Sequence, residues 1–160
     1  MSFLFDISEF TEEQLDRSVS ESCNSGAYAE MKFCTAAIEQ GFEIFTPFSH
    51  ATKTDVIIMR PSKKPIRVQI KKATYQKKKS LHCKDSWKFM VGSGRPSCAN
   101  NLNDYGLRYQ KYQEGDFDIL AAYVFERDAF YFFNLSAISG LSSKRIDENS
   151  SSNNLEIFDE

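Results

Sequence analysis

Between Ile66 and Lys71 apolar and polar side chains alternate without a break. A β-strand there turns Ile66, Val68 and Ile70 to one face and Arg67, Gln69 and Lys71 to the other. A one-residue slip would exchange the two faces, so the strand has one permitted register and needs a cover over its apolar side. Neighbouring segments supply partners. Phe42-Glu-Ile-Phe-Thr46 and Asp55-Val-Ile-Ile-Met-Arg60 precede it as strands, separated by Pro47 and by the turn Pro61-Ser-Lys-Lys-Pro65. Trp87-Lys-Phe-Met-Val91 follows. Two strongly apolar runs, Phe117 to Phe125 and Ala129 to Leu135, flank a hairpin-like turn at Glu126-Arg-Asp128. For the cover, Tyr28, Met31, Phe33, Cys34, Ala37 and Ile38 recur at helical spacing from Ser25 to Gln40, and Gly41 supplies a stop. A Thr11/Gln14 capping box opens a shorter helix ahead of it. The order of elements is that of an α/β fold.

At 160 residues, with 41% hydrophobic side chains, the chain has the core of one domain. Its expected parts are an N-terminal helical extension over 1–24, a core over 25–140, and an acidic Ser/Asn-rich tail over 141–160 that reads as disordered. Residues 93–115 mix Gly, Pro, Ser and Asn with Arg95, Arg108 and Lys111 and read as irregular. Tyr105, Tyr109 and Tyr112 among them fall near helical spacing and suit either stacking on bases or a helix leading into the last hairpin, with packing the favoured role. No apolar run approaches the ~20 residues a membrane span needs, and the first ten residues hold no basic cluster, so a soluble, unexported protein is expected. Cys23, Cys34, Cys83 and Cys98 form no CxxC pair and read as reduced thiols of a cytoplasmic protein. His50, His82, Cys83 and Cys98 lack the paired spacing of a zinc site.

The overall charge of −2 hides a segregation: residues 1–52 carry −7, residues 53–111 carry +12, and residues 112–160 carry −7. A basic block inside an acidic chain suits a polyanion, because each cation near a phosphate releases condensed counterions. Lys53, Lys72, Lys77, Lys78, Lys79, Lys84, Lys88 and Arg95 are the candidate DNA contacts. The competing explanation for Lys77 to Lys79 is a solvated loop.

Four residues form the informative constellation. Asp55 opens one strand, and Gln69 and Lys71 sit on the next after a tight turn, so antiparallel pairing brings them together. Glu30, midway along the preceding helix, can reach the same place. Such a cluster suits metal-dependent phosphodiester hydrolysis: a hard cation takes oxygen ligands, here the Asp55 carboxylate, the Gln69 amide oxygen and the Ile70 carbonyl. Lys71 can deprotonate or orient the attacking water, or neutralise charge growing on the phosphorus oxygens.

A helix glutamate, Asp55, thirteen intervening residues and then Gln69-Ile70-Lys71 resemble the PD-(D/E)XK nuclease superfamily. Gly26-Ala-Tyr-Ala-Glu30, Gly41-Phe-Glu-Ile44, Thr54-Asp-Val-Ile57, Arg67-Val-Gln-Ile-Lys71 and Asp116-Phe-Asp-Ile-Leu-Ala-Ala-Tyr123 are similar to its group I intron-associated branch, which includes homing endonucleases. The resemblance runs from about Gly26 to about Ile138. It implies a restriction-endonuclease-like mixed β-sheet flanked by helices in a single domain, a Mg2+-dependent cut in double-stranded DNA, and a homodimer or homotetramer. The chain departs from the superfamily at Thr54, where the eponymous proline stands, and at Gln69, where most members have an acid; the intron-associated branch itself carries this glutamine. Other nuclease outcomes on the same core are a Holliday-junction resolvase or a restriction-type enzyme, and the non-enzymatic alternative is a DNA-binding module.

Overall fold

A computed structural model describes residues 21–48, 52–77, 86–95, 108–150 and 155–158. Among the described residues the first helix, α1, covers Glu21–Glu39, and the strands before the lysine-rich segment are β1 (Glu43–Phe45), β2 (Val56–Met59) and β3 (Ile66–Gln76). After it come β4 (Ser86–Met90), β5 (Ser93–Arg95), β6 (Arg108–Gln110), β7 (Ile119–Val124), β8 (Ala129–Asn134), the one-turn α2 (Leu135–Ile138) and β9 (Ser143–Asp147). A 3-10 turn follows at Leu155–Phe158.

Strand β3 organises the sheet. On one edge its start pairs antiparallel with β2 (Val56 opposite Val68); its end pairs antiparallel with β4 (Thr74 opposite Lys88). On the other edge β7 runs parallel to it from Val68/Ile119 to Ala73/Val124, and β8 closes the β7 side as a hairpin. β1 extends the sheet beyond β2, and β9 extends it beyond β4. The result is a seven-stranded mixed sheet. All six residues of β7 are buried, as a parallel strand covered on both faces requires.

Alternation along β3 and β7 sorts the core into two layers. Val68, Ile70, Ile119, Ala121 and Tyr123 face α1, meeting Ala29, Phe33 and Ala37, while Ala73, Leu120, Ala122 and Val124 face a second layer with Trp87, Phe89, Tyr112, Phe117, Leu135 and Ile138. Helix α1 is anchored by its apolar stripe and by Lys32, whose ammonium lies 3.0 Å from Asp128 in the β7–β8 turn. Asp128 adopts φ 44°, the left-handed conformation that short polar side chains tolerate. At the start of the parallel pair, Asp118 accepts the Arg67 backbone N–H at 2.8 Å and its guanidinium at 2.9 Å, which fixes the register where β3 and β7 first meet. That guanidinium holds the Asp118 carboxyl below its usual range.

The tail is not disordered throughout. Residues 143–147 form β9, with Ile146 only 2% exposed, and Leu155 and Phe158 are buried, Phe158 against Phe33, Phe42 and Phe132. The sequence hides this because β9 has one apolar residue. The strand is made by pairing with β4 and by Arg127, which stacks 4.2 Å over Trp87 while donating to the carbonyls of Glu148 and Ser150. Within 93–115, β5 and β6 pair as a short ribbon in place of the irregular segment expected, and Arg108–Gln110 is strand where the tyrosine spacing suggested helix. The capping box at Thr11 and the cysteines and histidines at 50, 82, 83 and 98 lie outside the described residues. Among the described residues no helix is long and apolar enough to cross a membrane.

Because β9 completes the second core layer, Ile146→Ala is expected to destabilise the protein by about 2–4 kcal/mol in denaturant titration. A change within ±0.5 kcal/mol would return β9 to a surface appendage.

Candidate active site

The pairing pattern of β3 leaves a gap. β2 stops at Val68 and β4 begins at Thr74, so on the edge opposite β7 no described strand pairs the backbone between them. Asp55, one residue ahead of β2, fills its near end: its N–H donates to the Val68 carbonyl at 2.9 Å, and its carboxylate accepts the Ile70 N–H at 2.7 Å. That carboxylate oxygen also accepts from the Gln69 amide, whose nitrogen lies 3.3 Å from the Ile70 carbonyl. Glu30, Asp55, Gln69, Ile70, Lys71, Lys72 and Lys88 line one cleft of about 390 Å³. The four-residue constellation expected from spacing is therefore brought together.

Thr54 explains how Asp55 is held without a proline. Its hydroxyl donates to the Asp116 carbonyl at 3.0 Å, and the Asp116 carboxylate takes the Lys53 ammonium at 3.0 Å and the Gln113 N–H at 2.7 Å. A pinned hydroxyl and an ion pair fasten the turn that a ring would otherwise stiffen. The same contacts engage Lys53.

Electrostatics follow from burial. Desolvation, reinforced by the nearby Glu30 charge, raises Asp55 to about 6 against the opposing Ile70 N–H. Burial lowers Lys71, countered by Asp55 and Glu30. The Lys71 ammonium lies 5.8 Å from the centroid of Tyr112, a buried ring that the motif did not flag. Its nearest sequence signal is the tyrosine series, which carries no link to Lys71.

Of the basic candidates, Lys72 donates to Ser25 Oγ at 2.6 Å, Lys88 is half-buried in β4 and Lys77 is exposed just beyond β3. Arg95 is in β5, its side chain outside the described residues, as are Lys78, Lys79 and Lys84.

A mixed sheet opened along one strand edge, with a carboxylate, an amide and a lysine facing the opening and a helix glutamate above them, is the arrangement of a restriction-endonuclease-like fold. The chain belongs to the PD-(D/E)XK endonuclease family, whose profile matches residues 21–154. That match runs through β9, past the core boundary expected at 140. Among solved structures the chain is similar to the bacterial homing endonuclease I-Ssp6803I, at 19% identity and a TM-score of 0.65 over 87% of this chain and 88% of that one. No curated protein matches it.

A carboxyl held at about 6 in the fold and near 3.9 when unfolded favours folding when protonated, and that advantage is lost as pH rises through 4 to 6. In chelator-treated protein Asp55→Asn, which can still accept the Ile70 N–H, is expected to raise stability at pH 8 by up to about 3 kcal/mol and to lose that gain near pH 4. Equal stabilities at pH 8 would mean that the carboxylate carries no such penalty.

Proposed function

We propose that this protein is a divalent-metal-dependent endodeoxyribonuclease that cuts duplex DNA, homing-endonuclease-like in its target. The observation that carries the reading is the convergence of the Asp55 carboxylate, the Ile70 carbonyl and the Gln69 amide at the open edge of β3, beside Lys71. Membership of the endonuclease family and the likeness to a bacterial homing endonuclease support it.

The donor set fits a hard cation. Among the described residues no three His, Cys, Asp or Glu side chains cluster, which leaves a carboxylate supplemented by neutral oxygens. The Asp55 and Ile70 oxygens already converge on one hydrogen-bond donor, the Gln69 amide nitrogen, and an amide turned about its terminal bond offers its oxygen instead. Asp55, Gln69 and Ile70 would hold the cation, and Mg2+ is the ion this all-oxygen set suits. When bound, it supplies positive charge that the buried Asp55 carboxylate lacks and that a scissile phosphate needs.

The remaining steps belong to the chain. Lys71, with its basicity lowered by burial, accepts a proton as water attacks phosphorus and the bond from phosphorus to the leaving sugar oxygen breaks, that oxygen taking its proton from solvent water; the resulting ammonium faces the charge growing on the phosphoryl oxygens. The Tyr112 ring and the Asp55 and Glu30 carboxylates favour that charged form. Glu30 holds its charge over the cleft from α1, and Lys72 and Lys88 at the rim suit neighbouring phosphates. Each chain offers one such centre, so cutting both strands calls for a homodimer or homotetramer acting in the cytoplasm, with its assembly read by light scattering.

Supercoiled plasmid and a synthetic four-way junction, each with and without Mg2+, test the reading. Metal-dependent linearisation of plasmid is the expected result. Preference for the junction would favour a resolvase, and binding without cleavage would leave a DNA-binding module. Asp55→Ala is expected to lose cleavage with DNA affinity nearly unchanged, and Lys71→Ala to lose cleavage with a slightly larger drop in affinity. Gln69→Glu should tighten Mg2+ binding in calorimetry, because a carboxylate replaces a neutral ligand; an unchanged affinity would remove residue 69 from the metal site.

A further inference from the structure

Past the cleft the sheet continues as β3, β4 and β9, and the register sets three side chains in a row: Thr74 opposite Lys88, and Lys88 opposite Arg145. Strands stand about 4.8 Å apart, so the row crosses about 10 Å. Alternation separates the faces. Ala73, Trp87, Phe89 and Ile146 are buried, whereas Thr74 and Arg145 are exposed and Lys88 is half-buried. Lys72, Thr74, Lys88 and Met90 also line the cleft, so this face is continuous with it.

We propose that the solvent face of β3, β4 and β9 carries the sugar–phosphate backbone of duplex DNA leaving the cleft, with Arg145 as a phosphate contact beside Lys88. This rests on the nuclease reading and adds a surface to it. Charge complementarity selects the occupant. A guanidinium and an ammonium on adjacent strands, next to a cleft rimmed by Lys72, match a row of phosphates, and Arg presents a planar fork to each. Arg145 belongs to the acidic third of the sequence, and only the pairing of β9 with β4 brings it to the basic surface. Asp147 stands two residues further along β9, opposite Ser86, so negative charge borders the row on the side away from Met90 and the cleft, and a polyanion is kept to the cleft side. Lys144 provides an internal contrast: it lies on the other face, with its ammonium 5.9 Å from the Phe133 ring centroid.

The test is fluorescence anisotropy of a labelled duplex at a series of salt concentrations, with Mg2+ replaced by Ca2+ to suppress cutting. Arg145→Gln is expected to weaken binding severalfold and to reduce the slope of log affinity against log salt by about 0.9, the loss of one phosphate contact, while Arg145→Lys restores most of the slope and Lys144→Gln leaves it unchanged. A wild-type slope in Arg145→Gln, or an equal loss in Lys144→Gln, overturns the proposal while the nuclease reading stands. A wild-type protein that neither binds nor cuts duplex DNA overturns that reading and this surface with it.

Discussion

The structure depends on a stretch of β3 edge that no described strand pairs. A sheet edge exposes N–H and C=O groups that must find partners, and here β2 stops early and β4 begins late. The Asp55 carboxylate takes the Ile70 N–H that a strand would have taken, so a side chain does the work of backbone at the one place where the sheet is open. The adjoining Ile70 carbonyl is thereby left at the cleft, next to Gln69 and Lys71. Everything that fixes β3 also fixes this opening: the parallel pairing with β7, the Arg67–Asp118 fork at its start, and α1 over its apolar face.

Holding Asp55 in this role is costly to the fold by itself. A carboxylate largely removed from water, near the Glu30 charge, is disfavoured in its ionised form, and one backbone N–H and one amide only partly offset the desolvation. Lys71 is desolvated in the same place and opposes the two carboxylates. Such a site stores unfavourable electrostatics, which the cation and phosphate of the proposed reaction would relieve.

Much of this was legible in the sequence because the signals were local. The alternation over Ile66–Lys71, the helical spacing from Tyr28 to Ile38 and the apolar runs on either side of Glu126–Asp128 each report one face or one turn, and each element is present. The Asp55, Gln69 and Lys71 cluster was readable for the same reason, since one hairpin places them. What escaped depends on contacts between distant segments. β9 exists because β4 offers an edge and Arg127 ties down the turn after it, and the pattern Ser-Lys-Arg-Ile-Asp announces neither. Tyr112 lies beneath Lys71 through a fold-back of some forty residues. The charge blocks, counted along the chain, concealed that Arg145 stands beside Lys88.

Phe158 packs against Phe33 and Phe42 and offers its carbonyl to Arg60 at 2.8 Å, so the layer that seats the Glu30 helix is closed by a residue near the far end of the sequence. β3 likewise waits for β7, about fifty residues later, before its parallel edge can form. Non-local pairings of this kind form slowly, and a nascent chain emerges at only about 5–20 residues per second. During synthesis β2 and β3 therefore emerge well before β7 can lock the cleft between them. The order of emergence leaves the Glu30, Asp55, Gln69 and Lys71 cleft unfinished until the second half of the chain has been made.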